Sequence, residues 1–586
     1  MQKNTFHTHF INPYNFIQNE NPPTRSPMDN TGNLTGYIRL HFTVKTPLCV
    51  PDIMQFDANG HRFFDFYSHG DEPIVPASEL RGAVRSIFET ITAGCFGIVS
   101  NTVAERRYYR SMLPALLTYQ NDGWVLYPAD KSKAGGEVRR EWYNHRGEKT
   151  VLYFSKNGAP AQTVSDVQVA RLQHTLHSYR FNAYRQPEKH IYFDQITFQK
   201  DGRLIPVFYT PRADGSVRRL SLAQVGRMAF TQTPHSLLGE FAPCKNDPCP
   251  TCKLFGSLTT VPNIASRVRF TDAHMVPADN ATTRVTLKPL ATPHPANAEF
   301  YTFPPDGKMK NATPWDYDTP HVTLRGRKMY FHNPRAADDP KVYTGFYQTK
   351  QNATFEIVKP HNVFAFKVYF DRISFTELQQ LCLALNFGEN DGDLMHKLGQ
   401  GKPLGLGSIK MCIEDIYLRT VDGDGYALAP YTALQTTFAP IDNPLRKAAL
   451  AQGALIPASP TTVSQLLHMA DFAYIGTTRQ IAYPISAGVT KKAGKAGAAG
   501  WFHWNKATYK SPVVRYVLPL ITDNADDLLL PQLFNGAVRD EHTEIPFSPE
   551  DDVVCVECQR VFKRGTYCGK AEHFHCFYCR QKGKVQ

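Results

Sequence analysis

The stretch NVFAFKVYFDRISFTELQQLCLALN, residues 362–386, changes its hydrophobic period halfway along, and that change decides the fold. Phe364, Phe366, Val368 and Phe370 occupy every second position, the signature of a strand with one buried face. From Ser374 onward the apolar residues fall at helical spacing instead, at Phe375, Leu378, Leu381, Cys382 and Leu385. Ser374 and Glu377 form the capping box that starts such a helix. A strand running straight into a one-sided helix implies a sheet for that helix to lie on.

Upstream, GYIRLHFTVKTP (36–47) alternates Ile38, Leu40, Phe42 and Val44 with Tyr37, Arg39, His41 and Thr43. VPASELRGAVRSIFE (75–89) then puts Leu80, Ala83, Val84, Ile87 and Phe88 on one helical face, with Ser78 as the expected N-cap. ASRVRFTDA (265–273) reads as another strand, and LGQGKPLGLGSIKM (398–411) is a glycine-rich loop entering a last strand, IKMCIEDIYL. Strand, helix, strands, strand, helix, loop, strand is the order of an α+β, ferredoxin-like domain with large insertions.

At 586 residues the chain is too long for one core, and the boundaries fall where pattern and composition shift. Residues 1–36 read as an N-terminal arm and 37–420 as the core. The core carries a basic insertion at about 96–185 and a cysteine-bearing segment at about 235–257. Residues 421–548 form a weakly patterned extension, and 549–586 a small zinc-ribbon-like tail. A hydrophobic share of 42% with 20% charged residues argues against disorder. No apolar run is long enough to span a bilayer, and the start MQKNTFHTHF lacks a secretory pattern, so a cytoplasmic protein without membrane contact is expected. The net charge of +12 makes an acidic partner plausible, and aromatics interleaved with Arg and Lys in the insertion suit single-stranded nucleic acid as well as plain packing.

Cysteines cluster twice. Cys555, Cys558, Cys576 and Cys579 make two C-x-x-C pairs seventeen residues apart, the spacing of a closed structural zinc site, with Cys568, His573 and His575 as surplus donors. Cys244, Cys249 and Cys252 supply only three thiolates, and His235 is the candidate fourth ligand. Cys49, Cys95, Cys382 and Cys412 are expected as small buried hydrophobes.

The glycine loop is not a nucleotide-triphosphate motif, because Gly401-Lys402 is followed by Pro403 rather than Ser or Thr. Its glycines suit close backbone approach to a polyanion, with Lys402 and Lys410 adding charge, or simply a tight turn. HExxH, GxSxG and paired-carboxylate spacings are absent around Asp52, Asp57, His61, Asp65, His69 and Asp71, the polar residues between the first strand and first helix.

Taken together, VPASELRGAVRSIFE, CPTCKLFGS with ASRVRFTDA, and LGQGKPLGLGSIKM resemble the RAMP superfamily, the RNA-binding backbone proteins of CRISPR effector complexes, those of type III in particular. LRGRKMYFH (324–332) is similar to a further mark of a large single-chain subfamily. The resemblance implies an RRM-like palm that holds crRNA along a basic face, with Ser78, Arg81, Arg85, Arg325, Arg327, Lys328, Lys402, Gly405, Gly407 and Ser408 as contacts. It also implies complementary target RNA and other effector subunits, copies or relatives of this chain, as partners. In type III relatives a loop aspartate cleaves the target with Mg²⁺. Asp57 matches that place, with Asp52 and Asp65 as alternates. A purely structural RNA-binding subunit and a guide-precursor nuclease using His61 or His69 stay open beside it.

Overall fold

The structure, a computed structural model, describes residues 5–97, 112–143, 149–182, 198–211, 215–222, 227–290, 295–430, 456–487, 501–502 and 514–534, with breaks of one to three residues in several of them, and a few shorter segments elsewhere. The tail cysteines expected as a zinc ribbon lie outside the described residues.

Along the central sheet the chain runs β1 (Leu34–Val44), α1 (Ala77–Ile91), β2 (Val268–Phe270), β3 (Ala273–Met275), β4 (Val363–Ile373), α2 (Phe375–Asn386) and β5 (Ser408–Asp422). In space the order is β5, β1, β4 and then β3, with every pairing antiparallel; β2 also pairs with β4. The first strand therefore lies inside the sheet, with Leu40 opposite both Phe366 and Ile413.

Alternation explains the layering. Ile38, Leu40, Phe42 and Val44 of β1 share one face with Phe364, Phe366, Val368 and Phe370 of β4, and α1, α2 and the Pro460–Ala470 helix cover that face in one core. Tyr37, Arg39, Lys367 and Tyr369 stand on the other face, partly or fully exposed. The capping box of α2 is present, with Ser374 Oγ accepting from the Glu377 amide at 3.2 Å and the Glu377 carboxylate accepting from the Ser374 amide at 2.8 Å. Phe375 departs from the expected stripe: it is 42% exposed, while Leu378, Leu381, Cys382 and Leu385 are buried.

At α1 the expected cap moves. The helix begins at Ala77, Pro76 takes the N-cap position, and the Ala77 amide donates to Asp272 Oδ1 at 2.7 Å. The terminal donor is satisfied from a distant loop, which frees Ser78 from capping and leaves it exposed on the first turn.

Two other expectations change. The basic insertion has a core of its own: strands between Leu113 and Ser221 build a seven-stranded sheet, and Leu172 of the Asp166–Asn182 helix packs on it with Trp124, Leu126 and Val207. Nor is the N-terminal segment a free arm throughout. His9–Ile11 pairs with Leu529–Pro531 and Tyr14–Ile17 with Arg327–Tyr330, burying Phe10, Ile11 and Ile17 completely. Three well-placed apolar residues outweigh the Asn- and Pro-rich surroundings.

A second sheet contains the hairpin Pro51–Phe56/Arg62–Phe66 and the strands Ala353–Val358 and Thr282–Thr286. Among the described residues no helix is long and apolar enough to cross a membrane.

Candidate nucleic-acid cleft and cysteine cluster

A cleft of about 530 Å³ opens at the first turns of α1. Ser78, Glu79, Gly82 and Ser86 form its floor, Lys328, Tyr330 and His332 one wall, and His396, Lys397 and Lys402 the other. Two segments about 70 residues apart thus bring three lysines together. Burial holds the Lys328 ammonium down to about 8, and Lys328 sits 3.9 Å from the centre of the Tyr14 ring and 3.2 Å from the Tyr301 hydroxyl. Burial also lowers Lys397 well below the usual lysine range, with the charge of Lys402 adding to the effect. Lys402 is lowered by burial and partly restored by Glu79. Under-solvated ammonium groups of this kind gain when an anion replaces lost water.

The two histidines are structural. His332 Nε2 donates to the Met395 carbonyl at 3.2 Å, so Nδ1 accepts from Ser408 Oγ at 2.9 Å. His396 Nε2 donates to the Leu385 carbonyl at 2.9 Å, and burial pushes its pKa down to about 4. Both are neutral at pH 7.

Of the residues expected to touch RNA, Ser78, Lys328 and Lys402 line the cleft. The others are turned inward. Arg81 donates to the Phe255 carbonyl at 2.5 Å and lies over the Phe255 ring. Arg85 pairs with Glu89 at 2.9 Å. Arg325 is 2% exposed, over Phe303, with one bond to the Pro519 carbonyl at 3.3 Å. Arg327, 6% exposed, pairs with Glu89 at 2.7 Å and donates to the Gly94 carbonyl at 2.5 Å. The planar fork of arginine suits such multi-acceptor positions.

Gly405, Gly407 and Ser408 are buried as well. Gly407 has φ 77°, and a Cβ there would run into the Leu398 carbonyl, so glycine is needed to close the loop against its own stem. The Gly405 carbonyl accepts from Thr46 Oγ1 and from Lys397, and the Ser408 amide donates to Thr46 Oγ1. Lys410 is also spent internally, on the Gly392 carbonyl. The loop therefore shapes the cleft and presents Lys402 to it. Lys397, which the sequence reading passes over, sits one residue before the glycine loop begins, in His396-Lys397-Leu398-Gly399.

The cysteine cluster differs from expectation in one ligand. Cys95, Cys244, Cys249 and Cys252 are buried with their sulfurs all within 4.8 Å of one another, Cys95 and Cys252 at 3.5 Å. His235 is not in the group; it lies in the turn preceding a short helix at Gly239–Phe241. Four thiolates around a tetrahedral zinc, with Zn–S of about 2.3 Å, would stand roughly 3.8 Å apart, so the group fits that ion. Cys95 follows the end of α1 in Gly94-Cys95-Phe96-Gly97, and only the fold brings it to the other three.

The expected catalytic aspartates lie on the second sheet. Asp57 caps the hairpin turn: its Oδ1 accepts from the Asn59 amide at 2.9 Å and the His61 amide at 2.7 Å, bonds that hold its carboxyl below the usual aspartate range. Asp65 pairs with Arg284 at 2.7 Å, and Asp52 is exposed on the hairpin strand. Among the described residues, none of these aspartates joins a cluster of metal-ligating side chains. His61 is 2% exposed with both ring nitrogens bonded, to the Thr349 carbonyl and Thr354 Oγ1, which removes it as a general base for cleavage.

The family model of the RAMP superfamily matches residues 41–410, well over half of the chain, and the chain belongs to that superfamily. The match ends at Lys410, just past the glycine loop, and so takes in every wall of the cleft except Met469 and Ala470. No curated protein matches the chain in sequence. Among solved structures, a chain from the cryo-EM structure of type III-B Cmr-beta bound to cognate target RNA aligns over 64% of this chain and 96% of its own, at 10% identity and a TM-score of 0.19, too loose a likeness to argue from.

Proposed function

We propose that this chain is a crRNA-binding backbone subunit of a CRISPR effector complex, and that the guide passes along the α1 cleft with its phosphates on Lys328, Lys397 and Lys402. The observation that carries this is the convergence of three lysines from two separate segments, Lys328 from one and Lys397 and Lys402 from the other, on one cleft whose lining has a single carboxylate, Glu79. A guide must be accepted whatever its sequence, so contacts belong on its backbone. The β5-β1-β4-β3 order, with both helices on one face, supports a ferredoxin-like palm. Target RNA and neighbouring effector subunits are the partners such a palm serves. Cys95, Cys244, Cys249 and Cys252 hold a structural zinc, and the spacing of Cys555, Cys558, Cys576 and Cys579 supports a second. Binding of a single-stranded RNA by Lys328→Gln/Lys402→Gln tests the reading. Affinity should fall on the order of a hundredfold and the salt slope should flatten by about 0.7 per lysine. Unchanged retention and slope would refute it.

A second activity, Mg²⁺-dependent cleavage of the paired target, is supported by Asp57, a carboxylate held ionised on an exposed hairpin. Asp57→Ala in the assembled complex should abolish cleavage of complementary RNA while leaving guide binding intact. Cleavage that persists clears Asp57, and a wild-type complex inert with Mg²⁺ leaves the purely structural role.

A further inference from the structure

The strand Arg327–Tyr330 that carries Lys328 into the cleft is weakly held by its backbone. Among the described residues its one strand partner is the short segment Tyr14–Ile17, so its position depends on side-chain anchors. Arg327 is the chief of these. One guanidinium nitrogen meets Glu89 of α1 at 2.7 Å, another donates to the carbonyls of Gly94 and Cys95 at 2.5 and 3.4 Å, and the group lies 4.3 Å from the centre of the Phe96 ring. Strand alternation then sends Lys328 the opposite way, among Tyr14, Tyr301 and Tyr330 at the cleft wall.

The peptide at Cys95 therefore faces two ways. Its sulfur belongs to the four-cysteine cluster, its amide lies 3.4 Å from Cys249 Sγ, and its carbonyl faces Arg327. Charge links the same groups. A zinc ion with four thiolates carries two negative charges, and Arg327 is a buried cation beside them. Without the ion the Gly94–Phe96 turn loses its sulfur anchor, and Arg327 loses both a fixed acceptor and the charge that favours its burial.

We infer that Arg327 is a positioning residue that couples the occupancy of the cysteine cluster to RNA binding in the cleft, so that metal and RNA each raise the affinity of the chain for the other. The inference rests on the cleft being the RNA site. Its test reads metal, not catalysis. Full-length chain is mixed with a colorimetric zinc chelator, with and without a saturating unstructured RNA of about 30 nucleotides, and the rate of zinc release is followed.

Because such coupling is reciprocal, RNA should slow release on the order of tenfold in the wild type. Arg327→Lys keeps the charge but cannot span Glu89 and both carbonyls, and in it RNA should change the rate less than about twofold. Lys328→Gln, a change at the cleft wall, serves if Arg327→Lys fails to fold: RNA held through Lys397 and Lys402 should no longer protect the metal. RNA that binds by fluorescence anisotropy yet leaves release unchanged in the wild type overturns the coupling alone. Equal protection in wild type and variants overturns the assignment to Arg327. RNA that does not bind overturns the cleft as well, and a purified chain without zinc overturns the metal site and the coupling together.

Discussion

Around the first turns of α1 the chain keeps its cations in two places, arginines inside and lysines at the cleft. Arg81, Arg85, Arg325 and Arg327 are directed at carbonyls, a carboxylate and aromatic rings of the protein itself. Lys328, Lys397 and Lys402 line space that could take an anion, although Lys397 also donates to the Gly405 and Leu406 carbonyls. The difference follows from shape: a guanidinium is a flat fork that can satisfy several fixed acceptors, whereas an ammonium is a compact charge on a flexible stem. Counting basic residues in a motif is therefore a poor guide to what touches a polyanion. In LRGRK (324–328) the two arginines go inward and the lysine reaches the cleft.

The inner set can be broken most severely at the cysteine cluster beside Arg327. Cys95→Ser should remove one zinc per chain and destabilise the core by more than about 5 kcal/mol, read as metal content and denaturant midpoint. His235→Ala should leave both unchanged; loss of metal there would restore the histidine as a ligand.

Next come the two buried arginines, which should behave oppositely. Arg327→Met leaves Glu89 with Arg85 as its remaining partner, strips the buried Gly94 and Cys95 carbonyls of their donor, and should cost about 3 kcal/mol. Arg325 has no carboxylate partner among the described residues, and its Nε and Nη1 lack hydrogen bonds there. Burial depresses its pKa to about 9. Arg325→Met should be neutral or stabilising within about 1 kcal/mol. Equal losses at the two positions would show that the ion pair with Glu89 is not what separates them.

The smallest effect concerns pH. Lys328 has a folded pKa of about 8 against an ordinary 10.5, lowered by burial, so the free cleft loses this proton as pH rises through 8. A bound phosphate favours the charged form and raises that value, so RNA binding takes up a proton above pH 8 and affinity must fall there, by at most about tenfold per pH unit. Titration of RNA affinity from pH 7 to 9 should show the fall in the wild type and flatten it in Lys328→Arg. An identical slope in both would assign the titration to Lys397 or Lys402.

Much of the central sheet was legible because its signals are local. Alternation in β1 and β4 and the capping box of α2 each lie within a dozen residues, and a buried face leaves a periodic trace. The cleft was legible only in part, since Ser78 and Lys402 sit in motifs while Lys397 has no pattern of its own. Cys95 was beyond reach for a different reason. Its three partners lie about 150 residues away, across an insertion, and a lone cysteine after a helix reads as a small apolar residue. The buried strands at 9–17 were masked by the Asn and Pro between their apolar positions.

The placement of β1 has a consequence for how the protein is made. This strand emerges early, but both of its neighbours, β4 and β5, are encoded some 320 residues or more further on. At about 5–20 residues per second a ribosome needs roughly 15–65 s to deliver the first of them. Throughout that interval a strand with Ile38, Leu40, Phe42 and Val44 on one face has no sheet to join. The insertion, whose strands pair among themselves, can close its own core meanwhile. During synthesis the oldest strand of the central sheet thus waits unsheltered, and the nascent chain is most exposed to self-association before β4 arrives.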